Sequence, residues 1–538
     1  MPDSESQATG ISIRLRSAGR DYRASKHCRN SSRHRRITWD CPAECREPMA
    51  DGRYPFSSIV EPSAAKSEIT AVGLRLTAIG RTLGEHIMRL IGVIVLVAAS
   101  AICRADDADW KVGVATIAIT PRQPMWMAGY AGRTKPSEGV LSELHAKALA
   151  IEDSAGTRAV IVTTDLISIP RPLRQQVVKG VAEKYKVDPK GLLLNCSHTH
   201  CGPVVKDDLE MSVMYPLDPE QRQRVESYFV SLTDKLVGVI GAAVEDLQPA
   251  KLSYSHARCS VAMNRRLPTK DGFQNSPYPD GPVDHDVPVL RIESLDGKTL
   301  RAVAFGYACH NTTTGLMQIN ADYAGYTQTE IEKAHPGATA LFVMGCGGDQ
   351  NPYPRGQIEW AMTHGKTLAT AVEAALLPVP KPIRGPLKFD FQEVDLPFEP
   401  VTRDELLERS KHKDGYEQRR SAALLAEFEK NGKVRESYPY PIQVLQFGGD
   451  LTLVTLGGEV VIDYALRLKR ELGDGPVWVA GYSNDVMAYI PSERVLKEGG
   501  YEGVGAMRYS NLPSSWRPGV EERIITTVRE IAERLRSR

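Results

Sequence analysis

Residues 191–203 read G-L-L-L-N-C-S-H-T-H-C-G-P and decide the fold that we predict. The apolar run is typical of a buried strand, and the Cys-Gly-Pro that follows indicates a turn. His198 and His200 stand two residues apart, and in an extended segment such residues point to the same side. Both imidazoles would therefore enter one pocket. Because neutral imidazole binds metals and moves protons near pH 7, the pair indicates either a hydrolytic metal site or two histidines that merely hydrogen bond near a turn.

The overall composition excludes one class of partner. The chain has 538 residues and is 42% hydrophobic, which is enough apolar material for a large core. Lysine and arginine together number 67, against 66 for aspartate and glutamate, so no net field would draw the protein to nucleic acid. We therefore expect an ordinary globular protein without a nucleic-acid partner, whose oligomeric state the composition leaves open.

The N-terminal segment has the form of an export signal that lies inside the chain. Residues 88–105 combine a basic start, a short apolar run and small residues, with a cleavage site predicted after Ala105. The apolar run is short for a membrane span. A lipoprotein site at Cys103 is disfavoured because Ile102 stands where a small residue is expected. We expect export to the periplasm or the extracellular space.

Two further segments follow from this interpretation. Residues 1–87 are basic and contain few apolar runs, so we interpret them as a disordered segment or as an extension upstream of a true start near Met88. Residues 106–538 would form the mature domain. That domain has an odd number of cysteines, so at least one thiol is free or paired outside the chain, and all of them could instead be small apolar side chains around a pocket. These cysteines are Cys196, Cys201, Cys259, Cys309 and Cys346.

Strands and helices alternate along the mature chain. An apolar run ending at Asp165 is followed by a helical pattern over 171–185 and then by the histidine strand. We predict an α/β fold in which helices flank mixed sheets and a metal site lies at the C-terminal ends of the strands. Residues 267–282 are predicted to be a loop from their composition, and 403–431 a charged helical cover exposed to solvent.

Apolar strands deliver further polar side chains. One strand ends at His310, and another ends at Gly458-Glu459. Glu459 is a candidate ligand, although an acid in the first turn of a helix is favoured by the helix dipole without any metal. Arg265 would either clamp a developing negative charge or be an ordinary exposed loop arginine. Asp165 would either orient a histidine or cap the next turn.

A Gly-rich segment also breaks a strand. Residues 345–352 read G-C-G-G-D-Q-N-P, and such a loop can present backbone N–H groups to an oxyanion or a phosphate. No P-loop lysine follows, which argues against a nucleotide site.

In this order along the chain, the motifs resemble those of the neutral ceramidase family over about residues 113–516. The matching positions are His198-Thr-His200-Cys201-Gly-Pro203, the strand-end His310, Gly458-Glu459, and Tyr489 and Tyr501 after Ser483-Asn484. The resemblance implies one zinc ion, whose ligands would be His198, His310, Glu459 and Tyr489. It also implies His200 as general acid/base, with Tyr501 and Arg265 steadying the tetrahedral intermediate.

Two departures from the family pattern bear on activity. Asn351 stands where the family motif Gly-Asp-x-Ser-Pro has an essential serine, although an asparagine amide could still donate to an oxyanion. The sequence also ends soon after the tyrosines, so we expect no counterpart of the family's immunoglobulin-like domain. We expect an exported zinc hydrolase of an amide or ester, acting on a small-molecule or lipid amide with transient contact to a membrane surface. The alternative is an exported metal-containing binding protein that has lost catalysis.

Removal of residues 1–87 tests the interpretation of the N-terminus. A chain that starts at Met88 should be exported and should unfold at the same temperature as the full chain, because the signal would then be terminal. Cell fractionation and thermal unfolding measure both properties, and a large loss of either would show that the start has been misassigned.

Overall fold

The computed structural model describes residues 109–205, 214–215, 217–473 and 475–537, so the proposed extension and signal lie outside the described residues. The helices are α1 (Arg171–Tyr185), α2 (Pro219–Glu245), α3 (Asp322–Ala334), α4 (Ile358–Leu376), α5 (Arg403–Arg409), α6 (Gly415–Asn431), α7 (Ile462–Glu471), α8 (Glu493–Glu498), α9 (Gly500–Gly503) and α10 (Val520–Ser537). A 3-10 helix spans Gly505–Tyr509.

The strands form two main sheets and several short ladders. In chain order they are β1 (Trp110–Ala118), β2 (Gly139–Val140), β3 (His145–Asp153), β4 (Arg158–Thr164), β5 (Leu192–Cys196), β6 (Gln248–Arg258), β7 (Ala262–Thr269), β8 (Gly272–Tyr278), β9 (Asp286–Ser294), β10 (Leu300–Tyr307), β11 (Gln318–Ile319), β12 (Thr339–Met344), β13 (Gln350–Pro352), β14 (Lys381–Pro382), β15 (Leu387–Pro397), β16 (Ser437–Phe447), β17 (Leu451–Leu456), β18 (Glu459–Val460), β19 (Val477–Ala480) and β20 (Tyr489–Ile490). The larger sheet has the order β12-β10-β9-β6-β1-β3-β4-β5, with β14 paired to β6. The second main sheet has the order β15-β16-β17-β19.

Both main sheets mix parallel and antiparallel pairs. In the larger sheet, β4–β5 and β10–β12 are parallel and the pairs of β1 with β3 and β6 are antiparallel. In the second sheet β17–β19 is parallel, whereas β15–β16 and β16–β17 are antiparallel. The predicted α/β fold with mixed sheets and flanking helices is confirmed.

Apolar side chains on both faces of each sheet produce four layers. Along β3, Ala146 and Ala148 face the core shared with α1 to α4, whereas Leu149 faces the second sheet, because successive strand residues point to opposite faces. Between the sheets, the Trp110 and Phe447 rings lie 5.9 Å apart. The opposite face of the second sheet packs against α7 and α10. The order of layers is therefore helices, large sheet, second sheet, helices.

Helix α2 is a core helix despite its apolar composition. It is long and apolar enough to cross a bilayer, but half of its most apolar window is buried inside the protein. Val225, Leu232 and Leu236 pack in the core beneath the large sheet. Asp218 caps its start by accepting a hydrogen bond from the backbone N–H of Gln221 at 2.7 Å.

The side chain of Asn195 joins the ends of three strands. Asn195 lies in β5 with its side chain toward the second sheet, and its Oδ1 accepts from the backbone N–H of Met344, at the end of β12, at 2.8 Å. Its Nδ2 donates to the carbonyl of Gly481, directly after β19, at 2.8 Å and to Oγ of Ser483 at 3.1 Å. An alanine here would leave the buried backbone N–H of Met344 unpaired, at about 1–3 kcal/mol.

One local prediction was wrong. Residues 267–282, predicted as a loop, lie largely in the β7–β8 hairpin. Strand β8 is an exposed edge strand that contains a proline, so it lacks the apolar alternation that identifies a strand. The segment 403–431, predicted as a charged helical cover, is helical and consists of two helices, each beginning at its own cap, Thr402 for α5 and Asp414 for α6.

Candidate metal centre

The two histidines that follow β5 converge, but not by the route that the sequence predicts. Strand β5 ends at Cys196, and His198 has φ +59°, so the segment is a tight turn and not an extended strand. The turn is held by hydrogen bonds from the N–H groups of Ser197 and His198 to carbonyls of residues 164 and 166. Nε2 of His198 and Nε2 of His200 nevertheless lie 3.0 Å apart. Both rings therefore enter one pocket, as predicted.

Backbone carbonyls orient the imidazoles of His198 and His310. Nδ1 of His198 lies 2.7 Å from the carbonyl of Ile167, and Nδ1 of His310 lies 2.6 Å from that of Gly347. A ring nitrogen this close to a carbonyl carries the proton, so Nε2 of each neutral ring keeps its lone pair. Oε2 of Glu459 lies 3.2 Å from both Nε2 atoms. Three electron-pair donors therefore face one another.

This arrangement fits a bound cation. Oε2 of Glu459 is buried and makes no aligned hydrogen bond within the described part of the chain, although both histidines are at ion-pair distance. Burial and the charge of Arg265 lower the pKa of His310 to about 3. Burial raises the pKa of Glu459, but His198 and His310 outweigh it and hold the value well below normal. Neutral imidazole and ionised carboxylate are the forms that bind metals.

A short parallel ladder places the tyrosine beside the glutamate. Strands β18 and β20 pair so that Glu459 is the direct partner of Tyr489. Oη of Tyr489 then lies 3.2 Å from Nε2 of His310. The four residues predicted as metal ligands therefore meet in one cluster, although they come from four separate segments of the sequence.

Arg265 contacts this cluster through Tyr489, from outside the cavity. It is not an exposed loop residue, because it lies in β7 and only 4% of its surface is exposed. Its Nη2 donates to Oη of Tyr489 at 3.0 Å, and its Nε donates to Glu502 at 2.8 Å. Burial opposes the charge of Arg265, but Tyr489 and Glu502 raise its pKa well above the ordinary value. Arg265 does not line the cavity and contacts Tyr489 instead.

Sequence reasoning missed Glu502. Its two oxygens accept from Arg265 at 2.8 Å and from Nη1 of Arg266 at 2.7 Å, and all three side chains are nearly completely buried. Two successive arginines require a carboxylate partner once they are buried, but the sequence does not show that they are buried or which carboxylate pairs with them.

Asn351 lies in the same polar network. Its Oδ1 accepts from Nη1 of Arg265 at 3.1 Å and from Oγ1 of Thr312 at 3.4 Å, and its Nδ2 lies 3.3 Å from Oη of Tyr353. The side chain is buried and is not part of the cavity wall. In this structure, the residue at the family's serine position therefore contacts the arginine that holds Tyr489.

The cluster opens into a cavity of about 440 Å³. His198, His200, Glu459, Tyr489 and Tyr501 line its inner end. Apolar side chains form much of the remaining wall, and these are Trp126, Ile167, Val204, Val205, Met214, Val486, Met487 and Ala506. The cavity therefore offers an apolar molecule a path to a polar, metal-type centre.

The predicted solvent-exposed cover also contributes to this cavity. Tyr416 of α6 lines it, and Oη of Tyr416 donates at 3.0 Å to the carbonyl of Ala131, another lining residue. The Tyr416 and Tyr509 rings are 5.1 Å apart. The segment that the sequence predicts as a simple cover is thus part of the wall.

The structure also bears on the predictions for the Gly-rich loop, for Asp165 and for the cysteines. The Gly-rich loop 345–352 does not present its amides to the cavity, because the N–H groups of Gly345, Gly347, Gly348 and Gln350 donate to backbone carbonyls. Asp165 accepts from the backbone N–H of His145 at 2.9 Å and contacts no histidine ring of the cluster. The five cysteines are all buried and unpaired, which agrees with their interpretation as small apolar side chains.

The fold and site together define a layered α/β protein with a histidine and glutamate centre in a covered cavity. The family model for "Neutral/alkaline non-lysosomal ceramidase, N-terminal" matches residues 110–359. Neutral ceramidase A of Dictyostelium discoideum is 27% identical over 271 residues, which cover 47% of this chain and 37% of that protein. The neutral ceramidase of Drosophila pseudoobscura pseudoobscura is 25% identical over 254 residues, covering 46% and 35%.

The fold also resembles that of a solved structure. The crystal structure of neutral ceramidase from Pseudomonas aeruginosa superposes with a TM-score of 0.64 at 22% identity, covering 80% of this chain and 75% of that chain. The chain matches little more than a third of the length of the two curated relatives above. These matches support the neutral/alkaline non-lysosomal ceramidase family, which this chain resembles as a divergent relative.

The buried Arg265, Arg266 and Glu502 cluster yields a stability prediction. Glu502→Gln should lower the free energy of unfolding by about 3–5 kcal/mol, because two buried guanidinium groups lose their charged partner. Glu498→Gln is the matched control, since Glu498 pairs with Arg266 at 3.0 Å but is 20% exposed, and it should cost about 1 kcal/mol or less. Urea unfolding of the two variants gives both values, and equal losses would contradict the assignment.

Proposed function

We propose that the protein is an exported, zinc-dependent, ceramidase-like hydrolase of amide bonds that also accepts esters. One observation carries this proposal: Nε2 of His198 and Nε2 of His310, each with its Nδ1 on a carbonyl, face the same carboxylate oxygen of Glu459 at 3.2 Å. Two imidazoles with a carboxylate are a typical catalytic zinc ligand set, and Tyr489 would complete it. Bound there, zinc would supply an activated water and polarise the substrate carbonyl.

Two residues beside this centre would handle the proton and the developing charge. His200 lines the cavity, and its Nε2 lies 3.0 Å from that of His198, so it would take a proton from the attacking water and return it to the leaving nitrogen. Burial, with His198 and His310 nearby, lowers the pKa of His200 well below normal, which keeps it neutral and able to accept. Tyr501 lines the same end and would donate to the oxyanion.

Arg265 would act through Tyr489. Its guanidinium donates to Oη of Tyr489 at 3.0 Å, and Asn351 and Glu502 hold that guanidinium in place. We propose that these residues fix the orientation of Tyr489, and that Asn351 contributes in this way and not by donating to an oxyanion.

The substrate that we propose is a lipid amide. Apolar side chains form much of the cavity wall beside the polar centre, and the matched relatives are neutral ceramidases. A substrate that resides in a bilayer would require transient contact with a membrane surface, and export would bring the protein to it.

The second candidate is a metal-containing binding protein that has lost catalysis. It is favoured by one observation, the asparagine at position 351 in place of the family's serine. Both candidates predict bound metal, so only turnover separates them.

Variants of the three histidines test the ligand assignment. His198→Ala and His310→Ala should lose most of the bound zinc, whereas His200→Ala should retain it and lose turnover, because a proton carrier is not needed to hold the ion. Metal content after dialysis and hydrolysis rates measure the two properties. His256→Ala, on an exposed histidine, serves as the control. Equal loss of zinc in all three variants would contradict the separate roles of His198 and His200.

Variants at position 351 decide between the two candidates. If water at the metal is the nucleophile, the zinc-loaded wild type should hydrolyse members of a broad amide and ester panel. Asn351→Ala should then retain turnover reduced by about 10²-fold, since it loosens Arg265 and hence Tyr489. An inert wild type, with turnover appearing only in Asn351→Ser, would establish the serine as essential and support the binding-protein candidate.

A further inference from the structure

A glycine in the loop at 127–132 lies directly against the ring of His200. Gly129 has φ +101°, a conformation that residues with side chains rarely adopt. A Cβ placed there would lie 2.5 Å from Cγ and from Nδ1 of His200. Packed carbon atoms are about 3.5–4.0 Å apart, so no side chain fits between this backbone and the imidazole.

The His200 ring lacks the carbonyl contact that orients the other two histidines. Its Nδ1 is buried and has no hydrogen-bond partner within the described segments, whereas Nδ1 of His198 and Nδ1 of His310 each lie within 2.7 Å of a carbonyl. The ring of Tyr130 contacts it edge-on with centroids 5.0 Å apart. Packing against Gly129 and Tyr130, together with the 3.0 Å contact between its Nε2 and Nε2 of His198, therefore determines where the His200 ring stands.

A buried arginine ties the loop to the histidine turn. Nη1 of Arg133 donates to the carbonyl of His200 at 2.7 Å and also to the carbonyl of Ala128, next to the glycine. Its Nη2 donates to the carbonyl of Leu316 at 3.0 Å. The backbone of Gly129 is thus held at a fixed position relative to His200.

We propose that Gly129 is a positioning residue for His200: its missing side chain is what allows the imidazole to stand beside the candidate metal centre. This rests on the proposed function, since His200 is the proton carrier there. A methyl group at position 129 would push the ring by an ångström or more, and a displacement of that size at a catalytic group can cost about 10²-fold in rate.

The test is a double-mutant cycle with a control from the same loop. Gly129→Ala, His200→Ala and the double variant are compared with Gly132→Ala, because a Cβ at Gly132 would meet nothing within 4 Å and no left-handed φ is required there. Gly129→Ala should lower kcat about 100-fold with KM within about twofold, and should retain zinc. In the His200→Ala background it should have no further effect on kcat. Gly132→Ala should behave as the wild type.

Thermal unfolding of the same four proteins gives an answer even if no substrate is turned over. Gly129→Ala should lower the unfolding temperature more in the wild type than in His200→Ala, because the steric part of its cost disappears with the ring. Equal losses of unfolding temperature in both backgrounds would overturn the proposal, because backbone strain at position 129 would then account for the whole effect. Loss of zinc in Gly129→Ala would also overturn it, since His200 would then be a ligand. If no substrate is turned over but the unfolding temperatures show the predicted difference between the two backgrounds, the proposed function is refuted. The positioning of His200 by Gly129 then stands.

Discussion

The site depends on one buried amide, that of Asn195, which connects strands from both main sheets. Its hydrogen bonds to Met344, Gly481 and Ser483 bring the ends of β5, β12 and β19 to one place. The segment that follows each of these strands enters the site. These segments are the histidine turn after β5, the loop around Asn351 after β12, and the residues leading to Tyr489 after β19. Leaving these polar groups unpaired in the core would be costly, so the ends cannot separate freely.

Different kinds of interaction hold the histidines and the tyrosine of the candidate centre in place. Neutral backbone carbonyls fix His198 and His310, and they set the tautomer as well as the orientation of each ring. Charged side chains fix Tyr489, because Arg265 reaches it while being paired with Glu502. The carbonyl contacts leave Nε2 of each neutral imidazole with its lone pair, which is the form that binds a cation. Burial raises the pKa of Tyr489 well above its ordinary value, and the charge of Arg265 opposes that rise.

The sequence pattern predicted His198, His310 and Glu459 because each of them follows an apolar run. Tyr489 follows no such run, and only the resemblance to the ceramidase family implied it as a ligand. The sequence could not predict the left-handed turn at His198, since that conformation depends on tertiary hydrogen bonds to residues 164 and 166. It could not identify the partner of Arg265 either, because Glu502 is far along the chain and looks like an ordinary helix residue. The β7–β8 hairpin escaped detection because an exposed edge strand needs no apolar face.

The layered arrangement makes the two halves of the chain depend on each other. The segment matched by the family model ends at residue 359, before the second sheet begins, so the apolar face around Trp110 and Leu193 is covered only by later residues. The candidate ligands are divided in the same way, two on each side of that boundary. A metal ion shared between them would act as a noncovalent cross-link, closing a long loop and contributing its binding energy to the folding of the whole domain.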